Sequence, residues 1–490
     1  LTLSREGIGC YLAIAPSTVA TKSIATARTH SLSQLDDLKG RGAENLGLGV
    51  TEPIADLKST TAFGRGLLWS EGDSHKRQRK AITPAFSNAA IRRLSAVFHD
   101  SAHKMKASWD AMFDEAKAQY VMFDVQKCLD AIGIAGFGHD FEALDGKNTP
   151  VIEVFDSFDD ANTDFFSRII FFLGPVFPTL QNLPTRSNRT LSRLRETMGK
   201  IADELLKRSR QVKDGKDDTV TADKSIIGLL VKSENAGTQL HMSSEEVLAQ
   251  MNTLLLAGYE TTSSMLFGPR LQRSCANIDR RGRLQSVLRR LDKQEKLRQE
   301  LASLIGGCDP SWEQIMSGFP YLDAVVHEVL RLHPPVTETT RVAAADDVIP
   351  FGTPLTTASG SKIDQLFVAK GTIVSSPIAY LNTSETFWGS DSREFVPERW
   401  LDERFERASE IQGHRHMLTF SDGPRICLGR TFALAEFKII LAMIVRHYRF
   451  ELPNGPTTPI VKHPSILPRP KVEGYEGGQV PLKVWRLEAD

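Results

Sequence analysis

The stretch Phe420-Ser421-Asp422-Gly423-Pro424-Arg425-Ile426-Cys427-Leu428-Gly429 holds a single thiol inside a loop stiffened by its own residue types. Gly423 and Gly429 open backbone conformations closed to residues with a Cβ, and Pro424 fixes the chain between them. An apolar run from Phe432 through Phe437 to Met443 and Ile444 follows, so the spacing predicts a buried amphipathic helix that starts just past the sulfur. A helix N-terminus and the guanidinium of Arg425 both favour a thiolate over a thiol, and a thiolate is a metal ligand or a nucleophile. An isolated cysteine is most often an inert buried thiol. The aromatic, glycines, proline and arginine around Cys427 argue for chemistry instead.

Three other groups of residues stand out. Glu328 and Arg331 share one face of an apolar helix that must stop near His333, because Pro334 and Pro335 follow. A solvated surface pair is the plain alternative. Val329, Leu330 and Leu332 favour burial, and a buried pair needs further partners, such as Arg399 of Pro397-Glu398-Arg399-Trp400. Upstream, Ser243 and Glu246 form a capping box, and Val247, Leu248, Met251, Leu254 and Leu255 continue one helical face. That helix then runs into Ala257-Gly258-Tyr259-Glu260-Thr261-Thr262, where a glycine and two hydroxyls break the local rules for helix stability. Rules broken inside a buried element tend to mark function. Last, Gly72 to Lys80 is a strongly basic helix start carrying His75 and Arg79.

Phe-x-x-Gly-x-Arg-x-Cys-x-Gly resembles the haem-binding loop of the cytochrome P-450 family, in its eukaryotic microsomal, fungal members. Glu-x-x-Arg, then Pro-Glu-Arg-aromatic, then the cysteine loop is also that family's order. The resemblance implies a mainly α fold with a small β-rich lobe, haem b lying between the oxygen-activating helix and the cysteine loop. Cys427 would be the iron ligand, Phe420 would pack beside the sulfur, and Arg425 would contact a haem propionate. Gly423 and Gly429 complete that loop. Ala257 and Gly258 would make room for dioxygen, with Glu260 and Thr261 relaying protons. His75 stands where the family has tryptophan, and with Arg79 it would clamp a propionate; Arg341 falls where another propionate contact is common. Glu328, Arg331 and Arg399 would brace the proximal side. Met251, Leu255, Val336, Thr339 and Thr340 would face substrate.

The elements that must position these groups read mostly as helix. Patterns are amphipathic from Ile91 to Lys127 and from Thr190 to Lys213, with an apolar stretch from Phe165 to Leu180 between them and a polar surface loop from Lys213 to Lys224. Leu366 to Ala369, Lys370-Gly371 and Thr372 to Val374 read as a short β-hairpin. The 490 residues carry 60 basic and 60 acidic side chains, which gives no reason to expect nucleic acid. Five scattered cysteines (Cys10, Cys128, Cys275, Cys308 and Cys427) fit a reducing compartment without a disulfide framework.

The chain reads as one domain over residues 1–490, with two departures from the family pattern. Residues 1–65 are atypical and carry no apolar run of about 20 residues that could anchor the chain in a membrane. Residues 268–290 begin with Gly268-Pro269 and hold seven arginines, no lysine and one aspartate, an insert or a miscalled exon boundary. Ile169 to Phe177 is core or a peripheral membrane contact. No flavin or nicotinamide motif is visible, so electrons must come from another protein. The implied activity is insertion of one atom of dioxygen into an apolar organic molecule, with an NADPH-cytochrome P-450 reductase and cytochrome b5 as donors, at the cytosolic face of the endoplasmic reticulum. The alternatives are a haem-thiolate isomerase or dehydratase acting on peroxides, and a catalytically impaired haem binder.

Overall fold

The computed structural model describes residues 64–116, 120–124, 241–267, 290–304, 309–357, 359–402, 407–463, 469–475 and 480–487, with short strand and helix fragments outside those ranges. In chain order the principal helices are α1 (Gly72–Ile82), α2 (Asn88–Arg93), α3 (Ser95–Ala116), α4 (Ser244–Phe267), α5 (Leu291–Leu301), α6 (Pro320–Leu332) and α7 (Arg430–His447). The architecture is helix-rich with small antiparallel sheets.

Helix α7 lies at the centre. Every residue from Phe432 to Val445 is buried, so the expected amphipathic helix is instead enclosed all round, as befits a helix with apolar residues on each face. Phe98 of α3 meets Phe432 edge to face at 4.8 Å, and α4, α5 and α6 pack on other sides. The buried Lys438 pairs with Asp323 (2.7 Å) and donates to the carbonyl of Met316 (2.9 Å).

Helix α6 begins on Pro320, whose missing N–H costs nothing at a first helical position. Its next two amides, Tyr321 and Leu322, donate to the carboxylate of Glu300 in the last turn of α5, at 2.7 and 2.8 Å. The helix ends at Leu332, ahead of the two prolines. Helix α4 starts on the expected capping box: the Ser243 hydroxyl accepts from the Glu246 amide (3.2 Å), and the Glu246 carboxylate accepts from the Ser243 amide (2.9 Å). The same carboxylate pairs with Arg77 and accepts from Gln78 (3.1 Å), so the cap also docks α1. Gly66 lets this contact close, because a Cβ there would meet the Ala249 carbonyl at 2.8 Å.

The strands are β1 (Tyr11–Ala13), β2 (Lys22–Ser23), β3 (Leu48–Gly49), β4 (Val121–Asp124), β5 (Thr339–Ala343), β6 (Asp347–Thr356), β7 (Lys362–Val368), β8 (Ile373–Ser376), β9 (Tyr448–Glu451), β10 (Ile460–His463), β11 (Arg469–Val472) and β12 (Pro481–Arg486). Two expectations are corrected here. Strands β7 and β8 flank Lys370-Gly371 but do not form a hairpin: β7 pairs with β6, and β8 pairs with β5. The Gly371 amide donates to the Ala343 carbonyl at 2.7 Å, which carries the chain from one sheet to the other. The helix expected as far as Lys127 ends at Ala116, and Val121–Asp124 pairs with β12 as a strand.

The described helix stops at Phe267 and resumes at Leu291. The arginine-rich stretch between them lies outside the described residues except for Arg290, which pairs with Asp292 at 2.9 Å. Phe165 to Leu180, with Ile169 to Phe177 inside it, and Lys213 to Lys224 lie outside them too, while between Thr190 and Lys213 only scattered helical positions are described.

Candidate functional site

The loop ahead of α7 is closed by its own backbone. The Cys427 amide donates to the Phe420 carbonyl at 2.8 Å, and the Ile426 amide to the Gly423 carbonyl at 3.1 Å. Ser421 (φ 59°) and Gly423 (φ 65°) take left-handed conformations to turn the chain, the second one natural only for glycine. Phe420 is buried beneath the loop. Cys427 keeps accessible surface, yet the protein around it is dense enough that burial pushes its thiol up. Both hold at once when the sulfur lines an enclosed space rather than bulk solvent. The Gly429 amide, Arg79 and Arg430 pull in the opposite direction, toward thiolate.

Arg425 donates to the Ser70 carbonyl (2.7 Å), and Arg79 to the Ile426 carbonyl (2.7 Å). Burial lowers the pKa of Arg425, with Glu71 opposing and the neighbouring charges of Arg341 and Arg79 adding to the depression. Burial also lowers Arg341, again against Glu71. The three half-buried guanidinium groups thus lie close enough for Arg341 and Arg79 to act on Arg425, while Glu71 offsets part of the charge on Arg425 and Arg341. Such a cluster is stabilised by an anion that completes it. His75 is buried one turn before Arg79 on α1. An accessible sulfur in an enclosed space and a cationic rim match the donor set for an iron porphyrin with two carboxylates, so the residues present fit haem.

Helix α4 runs unbroken through the Ala257 to Thr262 cluster. The Thr261 hydroxyl donates to the Ala257 carbonyl at 2.5 Å, the competition for backbone expected there. Ala257 is exposed and Gly258 half-buried in a helix whose Val247 and Met251 have no accessible surface. Met251 is thus turned into the core, not toward substrate. Six residues separate it from Ala257, which at about 100° per residue places the two on different faces. Val336 is exposed and Thr339 half-buried in β5, whereas the side chains of Leu255, Glu260 and Thr340 lie outside the described residues.

On the other side of α7, Glu328 and Arg331 are both fully buried. The Arg331 guanidinium uses all five of its N–H groups: Nε to Glu328 Oε2 (2.8 Å), Nη2 to Glu328 Oε1 (2.8 Å) and to the Glu394 carbonyl (3.2 Å), and Nη1 to the Asn382 (2.8 Å) and Ser392 (2.5 Å) carbonyls. The Glu328 carboxylate also accepts from the Val396 amide (3.0 Å), Arg399 Nε (3.1 Å) and Trp400 Nε1 (3.0 Å). Burial alone would raise this carboxyl, but the two arginines and these donors hold it below its ordinary value.

Sequence reasoning missed the link from this network to the cysteine loop. Asn382, also fully buried, accepts from the Leu418 amide (3.0 Å) and donates to the Thr419 hydroxyl (2.9 Å), which donates to the Leu330 carbonyl (2.7 Å). Thr419 immediately precedes Phe420, its one signal in the sequence; Asn382 has none.

An enclosed cysteine sulfur beside converging arginines, braced through a buried Glu-Arg-Arg network, defines a haem-thiolate protein. The family model for cytochrome P450 matches residues 49–268 and 283–474, and its interruption falls inside the arginine-rich stretch. The chain is 55% identical over 446 residues to the cytochrome P450 monooxygenase claP of Ampulloclitocybe clavipes, covering 90% of this chain and 80% of that one. It is 34% identical over 441 residues to cytochrome P450 monooxygenase 205 of Postia placenta (86% and 77% covered), and 32% identical over 444 residues to a ganoderic acid synthetase of Ganoderma lucidum (83% and 77%). The chain belongs to the cytochrome P450 family, with that family's fold and haem b as cofactor. It is a P450 monooxygenase.

Proposed function

We propose that this monooxygenase inserts one oxygen atom into an apolar organic substrate, with electrons from a separate NADPH-dependent reductase and cytochrome b5 as a second donor. The observation that carries the reading is Cys427, which keeps accessible surface although dense protein surrounds it, with Arg79 acting on its charge. Haem, when bound, supplies dioxygen activation, which a thiolate ligand favours by pushing electron density onto iron.

The chain's own residues divide the remaining work. Cys427 holds the metal, and the Gly429 amide beside the sulfur steadies its charge. Arg79, Arg341, Arg425 and His75 would hold the haem by its propionates. Ala257 and Gly258 leave room on α4 for a diatomic molecule, since neither side chain extends beyond a methyl. Thr261 holds a proton on Oγ1, parked on the Ala257 carbonyl, and Glu260 replenishes it, the relay role that the family likeness implies for it. Val336 and Thr339 line the substrate's approach, a role that the family likeness implies for Leu255 and Thr340 as well; pockets of this kind are apolar and suit an apolar substrate. Peripheral attachment at the cytosolic face of the endoplasmic reticulum completes the proposal, by likeness to the family. Among the described residues no helix is long and apolar enough to cross a membrane.

The deciding experiment is the spectrum of the reduced, carbon monoxide-bound protein. Cys427→Ala should abolish the thiolate-type spectrum, while replacing each of the other four cysteines leaves it unchanged. An unaltered spectrum in Cys427→Ala would end the reading.

A further inference from the structure

A pair of histidines outside the machinery described so far lies between α6 and the cysteine loop. His327, buried on α6, donates from Nδ1 to the Asp323 carbonyl at 2.8 Å, with the Asp323 carboxylate 3.3 Å from the same nitrogen. Its Nε2 stands 3.2 Å from Nε2 of His414. With Nδ1 committed as a donor, the gap between the two Nε2 atoms holds a single proton, because two N–H groups cannot point at each other. Burial first, then the neighbouring His327, Arg430 and Arg415, push the pKa of His414 down to about 3.

The backbone works to place this ring. Arg415 (φ 53°) and His416 (φ 59°) are successive non-glycine residues in the left-handed region, at a cost of roughly 1–2 kcal/mol each. Gly413 before them has φ 130°, and a Cβ on it would meet the Met417 carbonyl at 2.6 Å. Strain of this kind persists where the surroundings over-determine it, and it clusters at functional sites. What it achieves here is contact. The His414 ring meets Phe420 edge-on at 6.0 Å between centroids, while His327 lies against Trp400 at 5.4 Å. The Phe420 carbonyl is in turn the acceptor for the Cys427 amide. At the far end Asp323 is anchored by Lys438 of α7 (2.7 Å) and by Arg415 (3.3 Å).

We propose that His414, held by its shared proton with His327, is a positioning residue that sets the Phe420 side of the cysteine loop and so the geometry of the sulfur–iron bond. This rests on the assignment of Cys427 as the iron ligand. Glu328 and Arg331 brace the same loop through Asn382 and Thr419; the histidine pair supplies a second brace, through the Phe420 ring.

The test uses the haem-loaded full chain. His414→Phe keeps ring volume against Phe420 but removes the shared proton; His414→Gln keeps a donor within reach of His327. With haem content per polypeptide close to that of the unmodified protein, His414→Phe should lose the thiolate-type carbon monoxide spectrum in a several-fold larger fraction of loaded molecules and shift the haem reduction potential. His414→Gln should restore both. A role in packing alone would lower stability without moving spectrum or potential. The proposal is overturned if His414→Phe matches the unmodified protein in both readouts, or if His414→Gln is as impaired as His414→Phe. Absence of a thiolate-type spectrum in the unmodified protein would instead sink the assignment of Cys427, so the two failures are distinguishable.

Discussion

Arg331→Leu tests whether the proximal network holds the fold together. The substitution removes a fully buried guanidinium with five satisfied donors. Glu328 keeps the Val396 amide, Arg399 and Trp400, so its charge is not wholly abandoned, but its bidentate partner is gone. Deleting one member of a buried ion pair costs about 3–5 kcal/mol. The carbonyls of Asn382, Ser392 and Glu394 lose their donor as well, at about 1–3 kcal/mol for each that finds no other. The total is on the order of the whole margin of a domain, about 5–15 kcal/mol. We expect aggregated, haem-free protein. Arg331→Lys keeps the charge but not the planar fork, and should give an intermediate yield with a lowered urea midpoint. Soluble yield, haem per polypeptide and the urea midpoint are the measurements; Arg331→Leu at unmodified values in all of them would show that the network's geometry carries little energy.

Thr261→Ala should leave haem bound but lower the ratio of product formed to NADPH consumed, because the proton on Oγ1 is lost; an unchanged ratio removes Thr261 from the proton path. Acid should destabilise the fold in a defined window. Burial, with nearby positive charge, pushes His414 down to about 3 and His447 to about 4 from 6.5, so as pH falls below about 6.5 the unfolded chain takes up protons that the folded one refuses. Urea midpoints should therefore fall progressively from pH 7 to pH 4, less steeply in His447→Phe; a flat profile contradicts the burial of both rings. Replacing Gly268 to Arg290 by about two turns of apolar helix should raise haem occupancy if the stretch displaces part of the oxygen-activating helix. A natural chain already fully loaded, with nothing gained by replacement, would establish a tolerated loop.

How much of this was legible in the chain follows from how the information is stored. The buried Glu328–Arg331 pair could be read because its three-residue spacing is local, and Arg399 because a buried carboxylate with one arginine calls for a further partner. The capping box of α4 is similar: Ser243 and Glu246 satisfy each other within one turn. Errors arose where a local signal has several tertiary answers. Lys370-Gly371 suits a turn between any two strands, and nothing nearby says that β7 belongs to β6 and β8 to β5. Val-Met-Phe-Asp at 121–124 is a short apolar run that periodicity cannot assign, and pairing with β12 decides it.

The deeper gap concerns partners that act through their backbone. Arg331 is held by three main-chain carbonyls, Arg425 by that of Ser70 and Arg79 by that of Ile426. Every residue presents a carbonyl, so no side-chain type advertises such a role. The buried charges themselves imply it: a guanidinium has five donors, and a single carboxylate cannot satisfy them all in a buried site. Counting donors on Arg331 from sequence alone would have demanded a loop wrapped around α6 with its carbonyls turned inward. The segment from Ile378 to Glu394, broken into single helical turns at Ile378–Leu381 and Glu385–Trp388, can do this because no longer element claims the oxygens of Asn382, Ser392 and Glu394. The loop's irregularity is thus the complement of the arginine's valence, and it follows that Arg331→Leu should loosen this segment first, ahead of α6 and α7, in amide exchange on any fraction that folds.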